Sequence, residues 1–164
     1  MIQKRIECLC PTSLYHTVTA HGWVKLAPWR WDSGNNELSR PERLGNGRLA
    51  LVRVFQSDAR SFIVEIDAQT LEQSEHENIE STVKRWLSID WDPESAIRTA
   101  TALDPRVALF IKNGGGRFLR SSTFYEDFVK TICTINTNWA STQRMVSSLV
   151  NRLGEGVFPT PLVV

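Results

Sequence analysis

Residues 116–159 constrain the fold more than any other part of the chain, because they predict two amphipathic helices joined by a short polar turn. Thr123 and Glu126 have the spacing of a capping box, in which a hydroxyl and a carboxylate each accept a hydrogen bond from a backbone amide at the helix start. Apolar residues then recur at helical spacing, which predicts one buried face. That face consists of Phe124, Phe128, Ile132 and Ile135.

The second helix follows the polar segment Asn136-Thr137-Asn138, and any of these three residues can cap it. Gly154 is expected to end this helix in a left-handed conformation. Its apolar stripe is formed by Thr142, Val146, Leu149 and Leu153. The whole stretch therefore predicts an αα-hairpin with a polar turn at its tip.

The residues before this hairpin predict an antiparallel sheet in meander order. Strands are predicted at residues 6–9, 26–31, 37–44, 48–56 and 62–67, and in the last of these apolar and polar residues alternate cleanly. Gly45-Asn46-Gly47 is expected to form a hairpin turn. Such a sheet needs a helix on one face. Ser74 and Glu77 predict a capping box for that helix, and its apolar stripe is Ile79, Val83, Trp86 and Leu87.

The predicted architecture is α+β, in two units. Residues 1–90 form an antiparallel sheet with packed helices, and residues 91–164 form an all-helical unit, with the boundary between Leu87 and Pro93. Hydrophobic residues make up 41% of the chain and charged residues 23%, which is ordinary for a soluble globular protein. No apolar run approaches the roughly 20 residues of a membrane span, and no signal peptide opens the chain. We therefore expect no membrane partner and a cytoplasmic, nucleoid-associated location.

The charge distribution indicates a basic segment within a nearly neutral chain. The net charge is +1, whereas residues 105–154 contain seven lysines and arginines and two acids. Basic side chains near a helix turn suit phosphate contacts, because each one releases condensed counterions. Arg117, Arg120 and Arg144 are our candidates for these contacts. The alternative is an ordinary solvated surface.

The cysteines give no metal or cofactor signal. Cys8, Cys10 and Cys133 are odd in number and badly spaced for disulfides. Cys8 and Cys10 could hold a metal only with partners from elsewhere, of which His16 and His21 are the nearest. Ordinary strand residues are the favoured interpretation, so we expect no metal and no cofactor.

Six short segments of the chain match one known family: residues 117–120, 124–127, 132–140, 145–146, 153–154 and 158–159. They resemble the helix-hairpin-helix DNA glycosylases, in the branch of the 8-oxoguanine and 3-methyladenine enzymes that has an extra N-terminal sheet domain. The resemblance covers nearly the whole chain and is strongest over residues 117–159. It implies a base-excision repair protein that binds damaged double-stranded DNA.

The resemblance also implies a DNA-contacting residue at the hairpin turn. In that family the turn between these helices carries a residue that fills the gap left by the flipped base, and Asn136 falls on that position. Extruding a base costs roughly a few kcal/mol, so the gap needs a substitute partner. The side-chain amides of Asn136 and Asn138 offer donors and an acceptor. The alternative is that both are only turn and cap residues.

The chain also departs from the family in two ways. The family's hairpin motif and its catalytic Asp lie downstream of the Phe158-Pro159 step, where only residues 160–164 remain here. We therefore expect no catalytic residue in this chain, which would be an N-terminal glycosylase fragment truncated before the hairpin motif. The family enzymes are hydrolases or lyases, whereas this chain alone is expected to be inactive.

The second departure concerns the substrate. Leu26 and Ala27 stand where the 8-oxoguanine enzymes have a Gly-Gln step, before the segment Trp29-Arg30-Trp31, which argues against 8-oxoguanine as the target. That aromatic segment could stack on bases, but core packing of a half-buried strand is favoured. A partner or a missing C-terminal part is expected to cover the helical hairpin. The alternatives to the glycosylase reading are a non-enzymatic DNA- or protein-binding module and a remnant without function.

Overall fold

A five-stranded antiparallel sheet forms the first part of the computed structural model, which describes residues 1–45 and 47–161. The strand order is β1-β5-β4-β3-β2. Strands β2 to β5 form a meander, and β1 adds an edge strand to it. β1 pairs antiparallel with β5, with Ile2 opposite Ile66. The strands are β1 (Ile2–Glu7), β2 (Arg30–Asp32), β3 (Glu37–Arg43), β4 (Leu49–Asp58) and β5 (Ser61–Ile66).

The structure confirms the later strands and corrects the earlier ones. Alternation in β5 buries Phe62, Val64 and Ile66 against the core. The strand predicted at residues 6–9 is displaced towards the N-terminus. In the segment predicted as a strand at 26–31, only Arg30–Asp32 pairs, because Gly22–Lys25 forms a 3-10 turn just before it. Asn46, in the middle of the predicted hairpin turn, lies outside the described residues.

Six α-helices accompany the sheet in the described part of the chain. They are α1 (Leu14–Thr19), α2 (Gln73–Trp86), α3 (Glu94–Leu103), α4 (Pro105–Lys112), α5 (Phe124–Ile132) and α6 (Trp139–Leu153). The capping box of α2 is formed by Glu72 and Glu75, not by Ser74 and Glu77, so this helix begins two residues earlier than the predicted box allows. Asp104 caps α4, with Pro105 in its first turn. No helix among the described residues is both long enough and apolar enough to cross a bilayer.

The main core lies between the sheet and α2, and the helical half contributes to it. Ile79, Val83 and Trp86 of α2 are buried in this core together with Leu119, which precedes α5. A second cluster joins Leu26, beside the sheet, to Val146 and other residues of α6. The predicted domain boundary, between Leu87 and Pro93, falls between α2 and α3. Packing extends across this point, so the boundary stays a prediction.

The glycine-rich turn between α4 and α5 is held against the start of α1. Gly114 has a φ of +91°, and its carbonyl accepts a hydrogen bond of 3.0 Å from the amide of Ser13. A Cβ on Gly114 would lie 2.6 Å from that same amide nitrogen, so only glycine fits here. This region is therefore a fixed turn.

The predicted stripe of α6 is partly correct, whereas that of α5 is wrong. Thr142 and Val146 are buried, but Leu153 is exposed. Gly154 follows α6 with a φ of −109°, and the left-handed residues are Glu155 and Gly156 instead. All four residues of the face that was predicted to be buried are exposed: Phe124, Phe128 and Ile132 on α5, and Ile135 in the turn after it.

Candidate nucleic-acid interface

The turn between α5 and α6 presents Asn136 to solvent. This residue has a φ of +51°, a left-handed conformation that asparagine tolerates better than most residues. It is exposed, and its side chain makes no hydrogen bond within residues 1–45 and 47–161. Its amide is therefore free to bind a group outside the protein.

Asn138 has a different role in the same turn. Its Oδ1 accepts a hydrogen bond of 2.9 Å from the amide of Ser141, which makes Asn138 the N-cap of α6. The first turn of α6 contains no acid. The exposed amide ends of this helix therefore add positive potential next to Asn136.

Three contacts fix the turn to the rest of the protein. The Thr142 hydroxyl donates a hydrogen bond of 2.9 Å to the carbonyl of Cys133, which closes the turn across its base. Gln143 Nε2 donates one of 3.3 Å to the carbonyl of Lys25. Gly22 is packed so closely that an added Cβ would lie 2.7 Å from the ring of Trp139. The N-terminal half thus positions the tip of the hairpin.

The three candidate phosphate ligands occupy different environments. Arg144 is exposed on α6, and its Nη2 donates a hydrogen bond of 2.8 Å to the Ser141 hydroxyl. Arg120 is half-buried and lies 3.6 Å from Asp90, at a polar cavity of about 500 Å³ that also includes Glu77 and Glu80. Arg144 is therefore free for a phosphate contact near the turn, whereas Arg120 faces carboxylates.

Arg117 is an internal residue, which corrects the prediction of a phosphate contact. It is 1% exposed, and its guanidinium lies 5.1 Å from the ring centroid of Trp91. Its donors reach the carbonyls of Ser88, Pro11 and Trp91 and the Sγ of Cys10. A side chain with all these internal partners has no exposed donor to offer to DNA.

A buried ionic cluster, Arg40, Glu42, Glu126 and Lys130, lies beneath α5, where the sequence indicated only a cap. Arg40 donates two hydrogen bonds of 3.0 Å each to the two carboxylate oxygens of Glu126. Lys130 Nζ donates one of 2.6 Å to Glu126 Oε1, and Arg40 Nε lies 2.6 Å from Glu42 Oε1 in an ion pair. Arg40 is held between Trp29 and Trp86, at 4.6 and 5.7 Å from their ring centroids.

Burial governs the titration of this cluster. It lowers the pKa of Lys130 to about 8, although Glu126 opposes the shift. Burial alone raises the pKa of Glu126, but the two cations outweigh it and hold the pKa of that carboxyl below its usual range. Glu126 therefore stays ionised in the folded protein. Because its carboxylate is used in the cluster, only half of the predicted capping box forms: the Thr123 hydroxyl accepts a hydrogen bond from the amide of Glu126.

Asp127 is a structural acid that joins several elements through hydrogen bonds. Its Oδ1 accepts hydrogen bonds of 3.0 Å from Trp23 Nε1 and 2.9 Å from the amide of Ser121. Its Oδ2 accepts one of 2.9 Å from Arg85. Asp127 thus joins α5 to α2 and to the 3-10 turn that also supports α6.

Both indoles of the segment Trp29-Arg30-Trp31 pack on the main core, as the favoured interpretation predicted. Trp29 is buried and meets Trp86 edge to face at 4.9 Å. Leu26, at the position where the family resemblance has a glycine, is fully buried against α6. No group of three or more His, Cys, Asp or Glu residues among those described is placed to hold a metal ion.

Comparison with known proteins first defines the class of fold. The chain has a DNA glycosylase-like α+β fold, in which a five-stranded antiparallel sheet is followed by helices. No family model and no curated protein matches the sequence. One solved structure that is similar to this chain is the 3-methyladenine DNA-glycosylase from Archaeoglobus fulgidus, with a TM-score of 0.70 and 21% sequence identity. The match covers 92% of this chain and 50% of that one, so the chain spans about half the length of the similar structure.

Proposed function

We propose that this chain is the DNA-binding, base-displacing part of a helix-hairpin-helix DNA glycosylase that acts in base-excision repair. The observation that carries the proposal is Asn136, an exposed left-handed residue with an unpaired amide at the tip of a fixed turn. In this role the amide enters the duplex and bonds to the base that has lost its partner. The glycosylase-like fold supports the same function.

Electrostatics support binding to duplex DNA at this place. The helix after the turn, α6, contains Arg144 and Arg152, both exposed, and has no acid. Its N-terminus adds the positive end of the helix dipole beside Asn136. We assign Arg144 to a phosphate contact, and base release to residues outside this chain.

The test measures the affinity of the chain for a short duplex with one tetrahydrofuran abasic-site analogue, relative to the same duplex without it. The analogue presents the gap already formed, so the wild-type chain should prefer it. Loss of one or two hydrogen bonds in Asn136→Ala should weaken that preference by roughly 5- to 30-fold. Thr137→Ala, at the neighbouring exposed position, should leave it unchanged.

A second variant separates positioning from gap filling. Arg144→Ala should weaken binding to both duplexes and reduce the slope of log affinity against log salt concentration by about 1. It should leave the preference for the gap unchanged. If Asn136→Ala and Thr137→Ala bind both duplexes like the wild type, Asn136 is not the gap-filling residue and the proposal fails.

A further inference from the structure

Trp139, the first residue of α6, has an indole that is supported on one side and open to solvent elsewhere. An added Cβ on Gly22 would lie 2.7 Å from Cζ2 and 3.1 Å from Cη2 of Trp139, so the ring packs directly against the glycine backbone. The residue is nevertheless 37% exposed. Its side chain makes no hydrogen bond, aromatic contact or cation–π contact within residues 1–45 and 47–161. The protein thus holds one face of the indole and leaves the rest free for a ligand.

The 3-10 turn Gly22–Lys25 fixes the position of this indole, because it runs beside α6. Trp139 and Gln143 are four residues apart, so they lie on the same face of the helix. Trp139 contacts Gly22, the first residue of the turn, and Gln143 bonds to the carbonyl of Lys25, the last one. Four residues of α-helix and three steps of 3-10 helix both rise about 6 Å, so the two contacts are compatible. Trp139 therefore has a defined position next to the tip of the hairpin.

The charges around the indole suit a nucleic-acid strand. Lys25 and Arg144 are exposed, and neither forms an ion pair in the described part of the chain. Helix α6 has no acid, and its N-terminus adds positive potential at Trp139. The acid that contacts the 3-10 turn, Asp127, is already paired with Arg85 at 2.9 Å. A polyanion can therefore approach this surface without facing an unpaired carboxylate from α6 or from the turn.

An aromatic face beside exposed cations is the arrangement with which proteins hold unpaired bases, since every base has a π-face. Asn136 is three residues before Trp139, which places it at most about 11 Å away, so one DNA strand can reach both. We propose that Trp139 stacks on an unpaired base of bound DNA, while Lys25 and Arg144 contact phosphates of the same strand. The inference rests on the proposed function, in that DNA binds at this surface, but it does not require Asn136 to fill a gap.

The test compares two duplexes that each have one extra nucleotide in one strand. In the first it is an adenosine, and in the second it is the tetrahydrofuran abasic analogue, which keeps the backbone but offers no base. At one salt concentration, the wild-type chain should bind the adenine bulge roughly 5- to 100-fold more tightly. Trp139→Leu, which keeps an apolar side chain against Gly22, should reduce this preference to less than about twofold, whereas Trp139→Phe should keep part of it. Phe124→Leu, at the end of α5 that is far from the turn, is the matched control and should keep the full preference.

Two further measurements separate stacking from the phosphate contacts. Lys25→Ala should weaken binding to both bulges by the same factor and reduce the slope of log affinity against log salt concentration by about 1. A 2-aminopurine at the bulge reports stacking directly, because its fluorescence is quenched by an aromatic neighbour. Its emission should fall when the wild-type chain binds, and should fall much less with Trp139→Leu.

Equal affinity of the wild type for the two bulges would overturn the proposal. A preference for adenine that Trp139→Leu retains would overturn it too, as would unquenched 2-aminopurine in the wild-type complex, which needs no variant to fold. A preference for the abasic duplex that depends on Asn136, with no preference between the bulges, would overturn this inference alone. If the bulge preference depends on Trp139 while Asn136→Ala behaves like the wild type, the inference stands and only the proposed function is refuted.

Discussion

Removing the charge of Glu126 should be strongly destabilising, because two buried cations depend on it. Glu126→Gln keeps the shape of the side chain and takes away its negative charge. Lys130 then loses its partner at 2.6 Å, and Arg40 keeps only the ion pair with Glu42. We expect the free energy of unfolding at pH 7 to fall by about 3–4 kcal/mol, within the range for breaking a buried ion pair.

This magnitude has two parts. Burying Lys130 already costs about 3 kcal/mol in the wild type, given an ordinary pKa of 10.5 and a folded pKa of about 8. Without Glu126 the cost cannot exceed about 5 kcal/mol, since the lysine would then release its proton at pH 7. The lysine therefore contributes at most about 2 kcal/mol to the loss. The weakened charge-assisted bonds of Arg40 contribute a further ~2 kcal/mol.

Urea unfolding followed by tryptophan fluorescence measures these effects. In wild type, the unfolded state keeps the Lys130 proton up to pH 10.5, whereas the folded state releases it near pH 8. Between these values stability should rise with pH, by up to about 1.4 kcal/mol per pH unit from this group. Lys130→Met should lack this component, and Glu126→Gln combined with Lys130→Met should regain most of the stability lost in Glu126→Gln.

The reasoning is refuted if Glu126→Gln costs less than about 1 kcal/mol. It is also refuted if wild type and Lys130→Met have the same dependence on pH between 8 and 10.5. Either result would mean that the cluster is solvated in the folded protein, so that neither cation depends on Glu126.

Two further predictions concern single positions. Gly114→Ala should lower the free energy of unfolding by about 2–4 kcal/mol, since a positive φ and a backbone clash both oppose the added Cβ. Gly47 also has a positive φ, of +84°, but open space around it, so Gly47→Ala should cost only about 1 kcal/mol. Equal losses of unfolding free energy for the two variants in urea titrations would contradict the clash at Gly114. Asn138→Ala should cost about 1 kcal/mol through the lost N-cap of α6, whereas Thr137→Ala should stay within about 0.5 kcal/mol. Equal melting temperatures for these last two variants would contradict the cap.

Local pattern predicted most of the secondary structure. In β5, apolar residues at alternate positions are enough to place Phe62, Val64 and Ile66 in the core, because one face of the sheet is covered. Asn138 was among the three residues expected to cap α6, and it does so because its side-chain oxygen reaches the amide three residues on. Such features depend on neighbours in sequence, so the sequence is informative about them.

The orientation of α5 could not be predicted in the same way. Periodicity shows that the helix has an apolar face, but which face is covered depends on partners far away in sequence. Arg40 is 86 residues from Glu126 in sequence, and its hydrogen bonds to Glu126 hold the charged side of α5 against the interior. Arg117 was misinterpreted for the same reason, since its carbonyl partners come from two separate segments, at Pro11 and at residues 88–91. The exposed tip at Asn136 follows from local sequence, whereas its support by Gly22 and Lys25 does not.

The ionic cluster beneath α5 also has a consequence for the order of assembly during synthesis. Arg40 and Glu42 are made more than eighty residues before Glu126, so β3 leaves the ribosome long before the helix that neutralises it. Contacts of such wide sequence separation form slowly. Until α5 arrives, the guanidinium of Arg40 must remain hydrated between two tryptophans. The sheet therefore stays incompletely packed until the last helices are made, and water leaves the surroundings of Arg40 only when α5 packs against it.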